Sequence, residues 1–285
     1  MTTKIARRTF ISGAGAGLFF PNKPRTAHAR DLSNPKSSLR TYAKLVGSTA
    51  AETVHYWYTG TIYGVVPGEI SQPVLDFAGL AKSVWWPNDD GTFGQRIYDI
   101  GYYADMNSGE PVEEFVNPYT GVPNWPVHYR AGPNEFTHKP ERRDWKVSGD
   151  DIWLEETLAL EMPNWLDPEE WPLASTGKTI RFRYTNTYRG KITDIENPDF
   201  NSAPSLFGWS ALTDWYPFML MGQRPGHLHW LGQGRKIDSF TEASTQSLNY
   251  LEANLPEYLE SDEPWTERAN NYTQYMAQRQ PLKGD

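Results

Sequence analysis

From Val54 onward the chain alternates in twos. Val54, Tyr56, Tyr58, Gly60 and Ile62 fall on one side of an extended strand, and His55, Trp57, Thr59, Thr61 and Tyr63 fall on the other. Both sides carry rings. A strand that is apolar on two faces is either sandwiched between layers or set in a barrel wall with a filled interior.

Strand-like runs follow at short spacing: Val74 to Trp86, Gln95 to Ala104, Pro111 to Val116, Trp125 to Arg130, Ile152 to Leu160, Thr179 to Thr187, Leu206 to Thr213 and Leu228 to Ile237. Turn chemistry separates them. Asn88-Asp89-Asp90-Gly91 and Asp105 to Gly109 read as hairpin connections, and Asn117-Pro118-Tyr119-Thr120-Gly121 as a turn with proline second. Strands joined this closely, with no helix between them, predict a mainly β protein. The expected form is an antiparallel β-barrel of calycin- or lipocalin-like proportions. Helical spacing predicts a short N-terminal helix at Leu39 to Val46 and a C-terminal one over Thr241 to Glu260, capped at Thr241 and divided at Pro256. Residues 39–261 then form one domain. Residues 30–38 read as a mobile leader, and 262–285 as a polar extension packing loosely on the surface.

The first 29 residues have a different character. Arg7-Arg8-Thr9-Phe10 precedes a short run softened by glycine and alanine, and Ala27-His28-Ala29 supplies small residues where a signal peptidase cuts. This resembles a twin-arginine export signal. It predicts a periplasmic location and two partners, the twin-arginine machinery and signal peptidase. The formal charge of −8 includes five basic and no acidic residues in this segment, so cleavage leaves about −13. Such an acidic chain is unsuited to nucleic acid or to an anionic membrane surface, and no run is long enough for a stable membrane insertion. There is no cysteine, which excludes thiol catalysis, zinc–cysteine sites and disulfides. Packing must therefore carry stability, and 12 Trp, 16 Tyr and 12 Phe are available for it.

Candidate chemistry centres on histidine. His227 and His229 share one face of a strand and can reach one metal or one substrate. The spacing from Gly222 resembles half of a cupin metal motif, but Trp230 to Arg235 lacks the glutamate that should follow, so no metal or other cofactor is assigned. His128 and Arg130 also share a face, a pairing able to move a proton and hold an oxyanion, with an inward Glu114 as a possible base. Arg224 is the other candidate oxyanion holder. Trp57, Tyr58, Tyr103 and Trp230 are the candidate ligand-lining rings. His138 sits in a polar stretch that predicts an exposed turn, and His55 reads as packing. Serine-hydrolase and phosphate-loop motifs are absent.

Several segments together resemble one family. Tyr56 to Glu69, Gly101 to Asp105, Asn117 to Gly121, Asp151 to Leu154 and Trp215 to Gly226 are similar to a family of exported bacterial proteins, with fungal relatives, known only as a domain of unknown function. The resemblance spans roughly residues 40 to 260 and implies one continuous domain and no catalytic residue. The expectation for function is a pocket for a small hydrophobic or aromatic molecule. Three readings remain: a cofactor-independent lyase, isomerase or hydratase with histidine as proton carrier; a non-catalytic carrier or sensor; or a carbohydrate binder with an aromatic platform.

Overall fold

The structure, a computed structural model, describes residues 31–282. The twin-arginine segment lies outside the described residues. The chain enters through α1 (Pro35–Val46), where the Asn34 side chain accepts from the Lys36 and Ser37 amides and Pro35 fills the first helical turn. The helix thus begins four residues before the apolar spacing suggests, inside the stretch read as a leader, because capping needs no apolar residue.

The strands are β1 (Glu52–Val65), β2 (Gln72–Pro87), β3 (Phe93–Ala104), β4 (Phe115–Val116), β5 (Pro123–Asn124), β6 (Tyr129–His138), β7 (Lys146–Ser148), β8 (Asp151–Pro163), β9 (Thr179–Lys191), β10 (Leu206–Thr213) and β11 (His227–Ile237). The helix α2 (Ile192–Glu196) follows β9. Nine strands form one antiparallel sheet in the order β6-β3-β2-β1-β11-β10-β9-β8-β7, while β4 and β5 make a separate miniature hairpin. The expected mainly β, barrel-type architecture is present as a curled half-barrel: the two end strands, β6 and β7, share no ladder.

β1 is fourth from the β6 edge, deep in the sheet between β2 and β11, and both of its faces are covered. Inward, Tyr58 and Ile62 join Phe77, Tyr103, Trp230, Trp215, Phe218, Tyr272 and Tyr275 in the largest core cluster. Toward the other end of the same concave side, Tyr56 and Val54 meet α1 through Leu39, Tyr42 and Leu45. Outward, Leu80, Tyr98, Ile100 and Ile237 pack under α3 (Thr245–Asn254) and α4 (Pro256–Glu260), and Trp57 Nε1 donates to Ser247 Oγ at 3.3 Å. The C-terminal helix divides at Pro256 as its sequence indicates, with Ser244 rather than Thr241 as N-cap.

Three departures have local causes. The polar extension contains α5 (Asn271–Gln278), capped by Asn270, and its Tyr272 and Tyr275 are buried in the main core; two rings one turn apart suffice to anchor a polar helix. The strand expected at Trp125 to Arg130 starts only at Tyr129, and that expected at Pro111 to Val116 shrinks to Phe115–Val116 with an isolated bridge at Pro111. His138 ends β6 half-buried, stacked on Trp85 at 5.1 Å, with Nε2 donating to Gln95 Oε1 at 2.7 Å. The turn expected there is a strand because Phe93 and His138 are ladder partners.

Two buried lysines fasten helices to opposite faces of the sheet. Lys236, inward on β11, donates to Lys44 O, Gly47 O, Ser202 Oγ and Ala203 O at 2.9–3.1 Å, binding the C-terminal end of α1 to the loop before β10. Burial pulls its ammonium down to about 7. Lys82, outward on β2, donates to Tyr258 O at 2.6 Å and to Ser261 O at the end of α4. Cations suit helix C-termini, where carbonyls lack partners. Replacing Lys236 with methionine strands those carbonyls, and we expect about 3 kcal/mol of destabilisation in urea unfolding.

Candidate functional site

Four ladder positions in a row build the site. Tyr58 on β1 lies opposite Gly79 on β2, which lies opposite Gly101 on β3, which lies opposite Tyr129 on β6. The two glycines leave the backbone bare, and the two tyrosines lean inward over it from either side. A Cβ on Gly79 would sit 2.4 Å from the Tyr58 hydroxyl, and one on Gly101 would sit 2.3 Å from Cζ of Tyr129. The tyrosine hydroxyls therefore meet in a short hydrogen bond above the pair.

Asp99, two residues before Gly101 on the same side of β3, completes the group. The Tyr58 hydroxyl lies 2.6 Å from Asp99 Oδ1 and 3.1 Å from Ile100 O. Since Tyr58 gives its single proton to Asp99, Tyr129 is the donor in the Tyr58–Tyr129 bond. Burial raises the Asp99 carboxyl to about 7, partly opposed by the bonds from Tyr58 and the Ile100 amide. Burial likewise pushes both tyrosines well above their usual value, so they remain neutral donors. A carboxyl poised near neutrality both takes and returns protons.

Rings wall the concave side around this group. Phe77 meets Trp209 edge-on at 5.6 Å and Trp230 at 5.4 Å, Tyr103 lies 4.7 Å from Phe218, and Tyr216 lies 4.9 Å from Trp230. Tyr184, Phe207 and Trp209 are only partly buried against this cluster, since no strand closes the sheet across from them. The Tyr103 hydroxyl is buried without a partner. Glu156 also faces inward, on β8, where burial raises its carboxyl and the Tyr42 hydroxyl donates to it at 3.3 Å.

The sequence profile of one family, described as a protein of unknown function (DUF1838), matches residues 51–280. The chain belongs to the DUF1838 family. The match covers the entire sheet and α5 and leaves α1 outside it. No curated protein matches the chain.

Within this DUF1838 domain the residues singled out from sequence divide between the two faces. Tyr58, Tyr103 and Trp230 face the concave side. Trp57, His227 and His229 point outward: His229 is the ladder partner of Tyr63 and Leu212, and its Nε2 lies 3.2 Å from Ser210 Oγ. His227 borders a shallow outer groove of about 490 Å³, with Leu212, Asp214 and Arg183. A second outer groove, about 410 Å³, lies beside Trp57, Arg189 and Arg235. Both are remote from the Asp99 chemistry and hold no enclosed titratable group, so the concave side is the better candidate despite their size.

His128 and Arg130 share the helix-covered side and do not reach the concavity. His128 Nδ1 accepts the Tyr103 amide at 3.1 Å, its ring lies 5.4 Å from Tyr250, and burial lowers its pKa to about 4. Arg130 stacks on Trp265 at 4.9 Å, 3.9 Å from Glu257. Arg224 lies over Tyr119 and pairs with Glu69 at 3.1 Å. Glu114 is exposed immediately before β4 and is not turned inward beside His128. His55 packs edge-on against Phe240 at 4.4 Å. Among the described residues, no group of three histidine or acidic side chains is arranged to hold a metal ion.

The residues missed were Asp99, Tyr129 and Glu156. A signal for the first existed: Asp99 is the lone carboxylate in Ile97 to Ala104, on the side that carries Gly101 and Tyr103.

Asp99 makes stability depend on pH in a defined sense. Its folded pKa exceeds the usual 3.8, so between about 4 and 7 the folded state holds the extra proton and stability falls as pH rises, by at most about 1.4 kcal/mol per unit. Asp99→Asn should remove that slope, and thermal unfolding across this range compares the two.

Proposed function

We propose that this protein binds a small, mostly apolar ring compound in the concavity and moves a proton on it through Asp99, as a lyase, isomerase or hydratase does. The observation that carries this reading is a near-neutral carboxyl bonded to Tyr58 at 2.6 Å within an aromatic enclosure. In the simplest cycle the Asp99 carboxylate takes a proton from a ligand carbon, then returns it at a second position or to a departing group. Tyr58 donates to that carboxylate and Tyr129 donates to Tyr58, a relay that holds the acid in position while it takes and returns the proton. The proton carrier is thus an aspartate, and the histidines supply none of the step.

A carrier function is the second reading, favoured by the excess of rings over polar groups. Native mass spectrometry of the purified protein identifies a retained compound, and incubation of that complex in deuterium oxide separates the readings. We expect deuterium in the released compound from the wild type, rising with pH through about 7 as Asp99 ionises, and a loss of roughly 10²- to 10⁴-fold in Asp99→Asn. Retention of the compound without exchange in the wild type favours the carrier. The carbohydrate reading gains no support, because the outward row Trp153, Arg189, Leu206, Arg235, Trp57 interrupts its rings with arginine and leucine.

We infer export to the periplasm by the twin-arginine route from Arg7-Arg8 and Ala27-x-Ala29. Replacing both arginines with lysine should hold the full-length chain in the cytoplasm, while the wild type yields an N-terminus at Arg30 by protein sequencing.

A further inference from the structure

We propose that the compound held in the concavity is a hydrophobic organic cation, an amine or quaternary ammonium whose charge sits against Asp99 inside a cage of tyrosine and tryptophan rings. This rests on the reading of the concavity as the ligand site and assigns the chemical class it takes.

The argument is one of charge inventory. By strand alternation and ladder partners, the charged side chains on the concave side of the long strands are Asp99, Glu156, Lys236 and Glu52, the last at the start of β1, where the Ser48 hydroxyl donates to it. Lys236 is spent on four acceptors at α1, away from Asp99. Among the described residues no lysine or arginine bonds to Asp99: its bonding partner is the Tyr58 hydroxyl. Arg143, the guanidinium beside Glu156, lies over the Tyr42 ring at 4.1 Å in the cluster under α1; its Nη2 pairs with Glu141 at 2.8 Å, while Nε and Nη1 are buried without partners. The arginines that sequence reasoning offered to an oxyanion, Arg130 and Arg224, are held elsewhere by Glu257 and Glu69.

An anion seated against Asp99 would meet a carboxylate and the negative faces of the rings, with no lysine or arginine bonded to that acid, since Arg143 lies with Glu156 and Tyr42 under α1. A cation meets both as attractions. Ring faces draw ammonium groups, most strongly where water is displaced, and Trp and Tyr are the best of them. Tyr129 and Tyr216 supply such faces beside Asp99, and Trp230, Trp209, Phe77 and Tyr103 continue the same wall of rings. The groups that titrate or carry charge toward Asp99 are Tyr58, Tyr129 and Tyr216, all held neutral by burial, with Glu156 and Glu52 as the other inward acids. A positive charge also acidifies a neighbouring C–H bond, which suits a carboxylate as the base that removes it.

The test uses the full chain and three probes that share a benzyl group: benzyltrimethylammonium, its neutral isostere neopentylbenzene, and the anion phenylacetate. Binding is read by quenching of tryptophan fluorescence, with Trp209→Leu reporting whether a probe occupies the concavity. We expect the cation to bind about 10-fold more tightly than the isostere. We also expect Asp99→Asn to remove that preference and leave the isostere unchanged. In the wild type, cation affinity should rise as pH increases through the ionisation of Asp99, a readout needing no variant. If the isostere or phenylacetate binds equally well at the Trp209 site, the cation assignment is overturned and the concavity remains a ligand site. If none of the three is sensitive to Trp209→Leu, both readings fail.

Discussion

The absence of two side chains governs this structure more than any side chain present. Gly79 and Gly101, adjacent across β2 and β3, let the rings of Tyr58 and Tyr129 lie down on the sheet and join hydroxyls over bare backbone. Gly60 and Gly232 leave similar room for Phe77, whose Cζ would lie within 2.6 and 3.0 Å of a Cβ on either. Rings resting on glycine turn an ordinary half-buried sheet face into an aromatic floor. Asp99 owes its burial, and so its raised pKa, to that floor.

The strands were legible because each alternates and each ends in turn chemistry that forms without distant help. Long-range events were less so. α5 is written in polar residues, and its two tyrosines become an anchor only once the concave side exists to receive them. Closure was not legible either, since whether a ninth strand finds a tenth is settled by curvature, which no local pattern encodes.

That Asp99 and not His227 or His229 faces the concave side has a reason that particular residues make plain. Histidine attracts attention because its ordinary pKa is near neutrality, but His227 and His229 alternate with Leu228 and Trp230, and it is the latter pair that the core takes. His128 was brought near Tyr103 as a hydrogen-bond acceptor for its backbone and nothing more. Asp99 reaches neutrality from the opposite direction, through burial, a cause that acts in three dimensions and leaves only a faint trace in a sequence.

The missing ladder between β6 and β7 has a geometric corollary. A closed barrel can change its bore only in steps, because strand number and shear fix the diameter together. A curled sheet with two loose margins has no such arithmetic: the spacing between β6 and the free edge of β8 beyond Lys146's partner Trp153 is set by what lies between them. Members of one family built on this plan can widen or narrow the chamber by trading a single ring, without adding or losing a strand.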